Sequence, residues 1–184
     1  MPLGLDTLNP ATLLSGRFKQ EQIPDLSGRT ALVTGGSAGI GFHDALGLAR
    51  AGAKVLIISA TPEHGRKAEE DMNAFLKEHV PGGQGSVKWY GVDLGDLKAT
   101  DKLAKEIAEK EERMDILINN AGVGQAPYGL TKDGLENHFA VRYRSFHLCY
   151  PSLMTLHRLT ILRTTSSRYA SSRSCSRLPN PRRP

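Results

Sequence analysis

Apolar residues follow two alternating rhythms through residues 25–141. Thr30-Ala-Leu-Val-Thr34 is a short apolar run that ends at glycine. Lys54-Val-Leu-Ile-Ile-Ser59 is a second, apolar at successive positions, as a strand buried on both faces must be. Val87–Val92 and Asp115–Ile118 are the third and fourth such runs. Between them the period lengthens. A helical stretch from Gly39 to Ala51 stops at Gly52, and Ala68, Met72, Phe75 and Leu76 share one face of a second helix. Thr61-Pro62 offers that helix a cap followed by a proline in its first turn. Leu97, Thr100, Leu103, Ala104, Ile107 and Ala108 mark a third. Strand and helix in alternation predict βαβ units and an α/β fold, a doubly wound parallel sheet covered on both faces. About four strands are expected, leaving the sheet incomplete.

Residues 142–184 break the rhythm. They contain no Gly, Lys, Asp or Glu, are rich in Arg, Ser and Pro, and offer only Leu159–Leu162 as a possible strand. Charge divides at the same place. Residues 1–141 carry 15 Lys and Arg against all 19 Asp and Glu, a net charge of −4, while residues 142–184 carry nine Arg and no acid, +9. The expected organisation is therefore an N-terminal extension (1–24), an α/β domain (25–141) and a divergent, poorly ordered tail (142–184). The basic tail could attract nucleic acid, but it carries no groove-reading motif, so that role is not expected. No apolar run reaches the length of a membrane span, and the N-terminus does not read as a signal peptide. Cys149 and Cys175 fit neither a disulfide framework nor a zinc spacing, and the six histidines share no ligand spacing, so no metal and a cytoplasmic setting are expected.

The candidate chemistry lies at the ends of the strands. Thr34-Gly35-Gly36-Ser37-Ala38-Gly39-Ile40-Gly41 joins the first strand to the first helix. Glycines there allow close approach of a pyrophosphate, the helix N-terminus supplies unpaired N–H groups, and the Ser37 hydroxyl can donate to a phosphate oxygen. A plain glycine-rich turn is the alternative. Asp93-Leu94 follows the third strand, where the carboxylate could accept from an adenine amino group or cap a helix. Asn119-Asn120-Ala121-Gly122 follows the fourth, where Asn120 could equally be a structural turn residue. All these motifs occupy the carboxyl ends of strands, where doubly wound sheets bind their ligands.

Together with Asp25–Thr34 and Leu130–Glu136, these motifs resemble the short-chain dehydrogenase/reductase family, especially its retinol-dehydrogenase-like and fungal members, over residues 25–141. The resemblance implies a Rossmann-type fold, with residues 25–141 as its cofactor-binding domain, and hydride transfer between a nicotinamide cofactor and a small carbonyl or alcohol. It implies cofactor contacts at Gly35, Ser37, Gly39, Ile40, Gly41, Ser59, Thr61, Asp93, Leu94, Asn120, Ala121 and Gly122. The end of the second strand, Ser59-Ala60-Thr61, carries no acid before Glu63. An acid there would hold ribose hydroxyls and repel a 2′-phosphate, so NADP is expected over NAD. Arg66 and Lys67 could approach that phosphate or simply face solvent.

The family's chemistry uses a Tyr-x-x-x-Lys pair and an upstream serine. Tyr128 and Lys132 have the spacing but stand only six residues after Gly122. Tyr169 is followed by Arg173 instead of a lysine, with Ser166 and Ser167 too near it. Neither pair is expected to be catalytic. After Val141 the family continues with a helix asparagine, and this chain has Arg142. Written as TAT CGG TCA TTT CAC, Tyr143–His147 reads Ile-Gly-His-Phe one base later, similar to the family's continuation, but that frame stops at Met154-Thr155, so a simple shift does not account for the entire tail. The expectation is a truncated or frame-altered member that binds the cofactor and lacks its catalytic half.

Overall fold

The computed structural model describes residues 22–124, 127–144 and 160–162. Its strands are β1 (Thr30–Thr34), β2 (Lys54–Ser59), β3 (Ser86–Gly91), β4 (Ile116–Asn119) and β5 (Thr160–Leu162). Its long helices are α1 (Gly39–Arg50), α2 (Pro62–His79) and α3 (Leu97–Lys110), and a short turn, α4 (Asn137–Phe139), runs on into a π-helical turn at Ala140–Arg144. The strands form one parallel sheet in the order β3-β2-β1-β4-β5.

Period-two alternation sorts the strands' side chains onto two cores. Ala31, Val33, Val55 and Ile57 face α1 and α2, where Ala45, Ala49, Ala68, Met72 and Leu76 cover them. Leu32, Leu56, Ile58 and Leu117 face α3, where Leu103, Ala104 and Ile107 cover them. Both faces are thus buried, which is why β1 and β2 read as unbroken apolar runs. The β3 and β4 boundaries differ by one residue from those read in sequence.

The amino ends of the strands are tied by charge. Asp115 accepts from the Thr30 backbone N–H at 2.9 Å, from Arg29 at 2.8 Å and from Arg113, and its own N–H donates to the Thr30 carbonyl oxygen at 2.9 Å. Lys54 at the start of β2 pairs with the buried Glu111 at 2.7 Å. Asp96 caps α3, accepting from the Ala99 N–H at 3.0 Å. Thr61 takes the cap position of α2 with extended backbone, but its side chain makes no capping bond, contrary to the sequence expectation.

The sheet has five strands where about four were expected. Thr160, Ile161 and Leu162 pair with Ile116, Leu117 and Ile118. A short β-branched segment suits the edge that β4 would otherwise leave open. The disorder expected for the stretch after Arg144 otherwise lies outside the described residues, as do Tyr169, Arg173, Ser166, Ser167 and both cysteines.

Candidate functional site

The loops leaving the carboxyl ends of β1, β2, β3 and β4 carry the sequence-derived site residues. Gly35 and Gly39 in the β1–α1 turn have φ of 68° and 57°, the left-handed region that favours glycine. A Cβ on Gly35 would stand 3.0 Å from the Ala121 Cα and 3.1 Å from the Asn120 amide nitrogen, so this turn is packed against the loop after β4. Gly39 meets nothing within 4 Å on its Cβ side. Ala38 occupies the cap position of α1 and supplies no side-chain bond to the helix's first N–H groups. Ser37 is half-buried beside them, Gly41 is buried, and Ile40 is 66% exposed, unusual for isoleucine.

At the end of β2 the Ser59 hydroxyl accepts from the Trp89 indole N–H at 3.0 Å. Thr61 is exposed and its hydroxyl is not used for capping. Lys67 pairs along its own helix with Asp71 at 3.2 Å, favouring its solvated reading. Arg66 lines an open depression of about 680 Å³ with Glu69, Glu70, Lys88 and Trp89.

After β3, Leu94 is buried and Asp93 exposed. Asp93 Oδ1 accepts from the Gly95 N–H at 2.8 Å, which turns the loop and leaves Oδ2 available, while the helix cap falls to Asp96. A cavity of about 410 Å³ opens beside it, lined by Asp93, Gly95, Val123, Thr131, Asn137 and Val141.

After β4, Asn120 donates from its amide nitrogen to the carbonyl oxygens of Thr34 and Gly35, both at 3.2 Å. The Thr34 hydroxyl accepts from the Ala121 N–H at 3.1 Å. These bonds lock the two loops together, so the structural reading of Asn120 holds beside any ligand role. The Asn119 amide nitrogen is buried with no hydrogen-bond partner among the described residues. Gly122 is exposed, and a Cβ there would be 3.9 Å from Arg142 Nε. Farther along, His138 Nε2 lies 3.0 Å from the Gly124 carbonyl oxygen and Nδ1 lies 2.6 Å from the Glu136 carboxylate.

Tyr128 is 79% exposed and Lys132 is also exposed, with no hydrogen bond joining the two among the described residues. Among those residues no group of three or more His, Cys, Asp or Glu is placed to hold a metal ion. Sequence reasoning assigned nothing to Thr34 or Trp89. Thr34 stood inside the glycine motif, whereas the reach of Trp89 to Ser59 needs the strand register, which places Trp89 beside Ile57 and Gly91 beside Ser59.

A family model described as short chain dehydrogenase matches residues 29–162. An uncharacterized oxidoreductase of Schizosaccharomyces pombe is 38% identical over 157 residues, covering 85% of this chain and 44% of its own. Human retinol dehydrogenase 13 is 38% identical over 118 residues, covering 64% of this chain and 34% of its own. The chain therefore spans less than half the length of these relatives. Among solved structures, a metagenomic short-chain oxidoreductase in complex with NADP matches with a TM-score of 0.64 and 28% identity, over 78% of this chain and 64% of that one. The Pseudomonas aeruginosa RhlG/NADP complex matches with a TM-score of 0.57 and 34% identity, over 72% of this chain and 49% of that one.

Proposed function

The chain belongs to the short-chain dehydrogenase family, and from that premise we propose that residues 25–141 are an NADP-binding domain of an oxidoreductase acting on carbonyl or alcohol groups. Residues 1–24 are an extension and 142–184 a divergent tail in this reading. The observation that carries it is the pair of left-handed glycines, Gly35 and Gly39, at the start of a helix that no side chain caps.

That arrangement fits a dinucleotide. Gly35, Gly39 and Gly41 let backbone approach a pyrophosphate, and the N–H groups at Ile40 and the Ser37 hydroxyl donate to its oxygens. Ser59 and Thr61 face the adenosine ribose and its 2′-phosphate with hydroxyl donors and no carboxylate. The free oxygen of Asp93 accepts from the adenine amino group, with Leu94 behind it. Asn120, Ala121 and Gly122 border the nicotinamide side, and Asn119 brings to that strand end a buried donor with no partner among the described residues. The nicotinamide, when bound, supplies or takes up the hydride. NADP-complexed neighbours support the cofactor choice. A cytoplasmic location is proposed from the cysteine spacing. Separately, no helix among the described residues is long and apolar enough to cross a membrane.

A second reading, binding without hydride transfer by this polypeptide, is favoured by the exposure of Tyr128 and Lys132. A proton donor must be held against the reacting atom, and a tyrosine 79% exposed on a loop is not. Calorimetric titration with NADPH and NADH, followed by NADPH absorbance with aldehydes, ketones and quinones, tests both readings. NADPH is expected to bind at least about tenfold tighter, roughly 1.4 kcal/mol, without turnover. Tighter NADH binding overturns the cofactor choice. Turnover lost in Tyr128→Phe makes Tyr128 catalytic.

A further inference from the structure

Trp89 sits in a slot between two glycines. A Cβ on Gly91 would come within 2.8 Å of the far edge of its ring, and a Cβ on Gly65, in the first turn of α2, would overlap the indole nitrogen. Gly65 is buried inside a helix, where glycine costs about 1 kcal/mol relative to alanine. Both positions leave room for the indole to lie across the first turn of α2 and end at Ser59. Its backbone N–H donates to Glu69, one turn farther along the same helix, at 3.0 Å. The residue is therefore held at its backbone by Glu69 and at its indole nitrogen by Ser59.

Indole N–H can only donate, and the bond to Ser59 Oγ is 3.0 Å. It occupies one lone pair of the hydroxyl and turns the Ser59 proton away from the indole. A hydroxyl that accepts a hydrogen bond also becomes a better donor. Satisfying a half-buried indole would require only some acceptor. Here the acceptor is Ser59, the last residue of β2, two residues before Thr61, and Arg66 shares a depression with Trp89.

We propose that Trp89 is a positioning residue for cofactor selectivity: through its hydrogen bond it orients the Ser59 hydroxyl to donate to a 2′-phosphate. This rests on the NADP reading above. The probes are adenosine 2′,5′-bisphosphate and 5′-AMP, titrated by calorimetry into the full chain and into Trp89→Phe, Ser59→Ala and the double variant. The wild type is expected to prefer the bisphosphate at least about tenfold, or roughly 1.4 kcal/mol. Trp89→Phe, which keeps the ring in its slot, is expected to lower that ratio several-fold with 5′-AMP affinity unchanged. The double variant is expected to lose no more of the ratio than Ser59→Ala alone, because Trp89 acts through Ser59. A wild-type preference that survives Trp89→Phe, or losses that add in the double variant, overturns the proposal while leaving the cofactor reading standing. Absence of any wild-type preference overturns the cofactor reading, and this proposal with it.

Discussion

Gly41 and Asn120 compete for one volume: a Cβ on Gly41 would overlap the Asn120 amide nitrogen and the Gly35 carbonyl oxygen. The first turn of α1 thus leaves room for the Asn120 side chain, which reaches from the loop after β4 to Thr34 and Gly35.

Gly41→Ala should therefore displace Asn120 and open the turn. Overpacking of this kind costs about 1–3 kcal/mol, to be read from the urea midpoint, and NADPH binding should be lost with it. Gly39→Val should separate the two effects. Its Cβ meets nothing, so only backbone strain of roughly 1–2 kcal/mol is expected, yet binding should vanish because the side chain stands where the pyrophosphate must come. Unchanged NADPH affinity in Gly39→Val would remove the pyrophosphate from this turn.

Asp115 should govern acid stability. Burial pushes its carboxyl up, but Arg113, the Thr30 N–H and Arg29 outweigh burial and bring it down to about 2 from 3.8. A depressed carboxyl contributes stability that is complete above its unfolded value and disappears as pH falls from about 4 to about 2. Asp115→Asn should cost on the order of 2 kcal/mol at neutral pH and flatten the acid limb of a urea-midpoint series. An acid limb identical to wild type would refute the assignment.

His138 should make the loop after β4 sensitive to alkali. Both ring nitrogens face acceptors, so both bonds form only on the imidazolium. The Glu136 carboxylate and then the Gly124 carbonyl raise its pKa, while partial burial and Arg142 oppose them. Stability from a raised histidine is fully present below about 6.5 and is lost as pH rises through the folded value. Hydrogen exchange at Ala121–Gly124, corrected for intrinsic rates, should quicken across that rise in the wild type and show no such step in His138→Gln. A step that persists in the variant would assign it to another group.

Ser59→Asp should reverse the cofactor preference. A carboxylate there accepts from ribose hydroxyls and repels a 2′-phosphate. NADPH affinity should fall at least about tenfold and NADH affinity rise, by calorimetry. A fall in both would mean that Ser59 is structural.

The fold was legible where burial is two-sided or strictly periodic. Leu32 and Leu56 point to one core, and Val33 and Ile57 to the other, so β1 and β2 had to be apolar throughout. The same holds for the Met72–Leu76 face of α2. Competing polar roles were not legible. Asp93 and Asp96 are both plausible caps by composition, and only the geometry gives the cap to Asp96 and the loop turn to Asp93. Thr61 has the right backbone for a cap and leaves its hydroxyl unused for it. The bond from Trp89 to Ser59 joins residues 30 apart, so no local pattern encodes it. The strand at Thr160–Leu162 was visible only as a possibility, because three residues carry too little periodicity to decide.

The order β3-β2-β1-β4-β5 also sets a timetable. β1 lies in the middle of the sheet, yet its contact with the β4 side, through Thr30 and Asp115, joins residues 85 apart. At about 5–20 residues per second, a ribosome takes roughly 4–17 s to make that stretch. Until Asp115 emerges, β1 bares N–H and C=O groups on its β4 flank even after β2 has been made, the interval in which a chaperone or a second nascent chain can reach it.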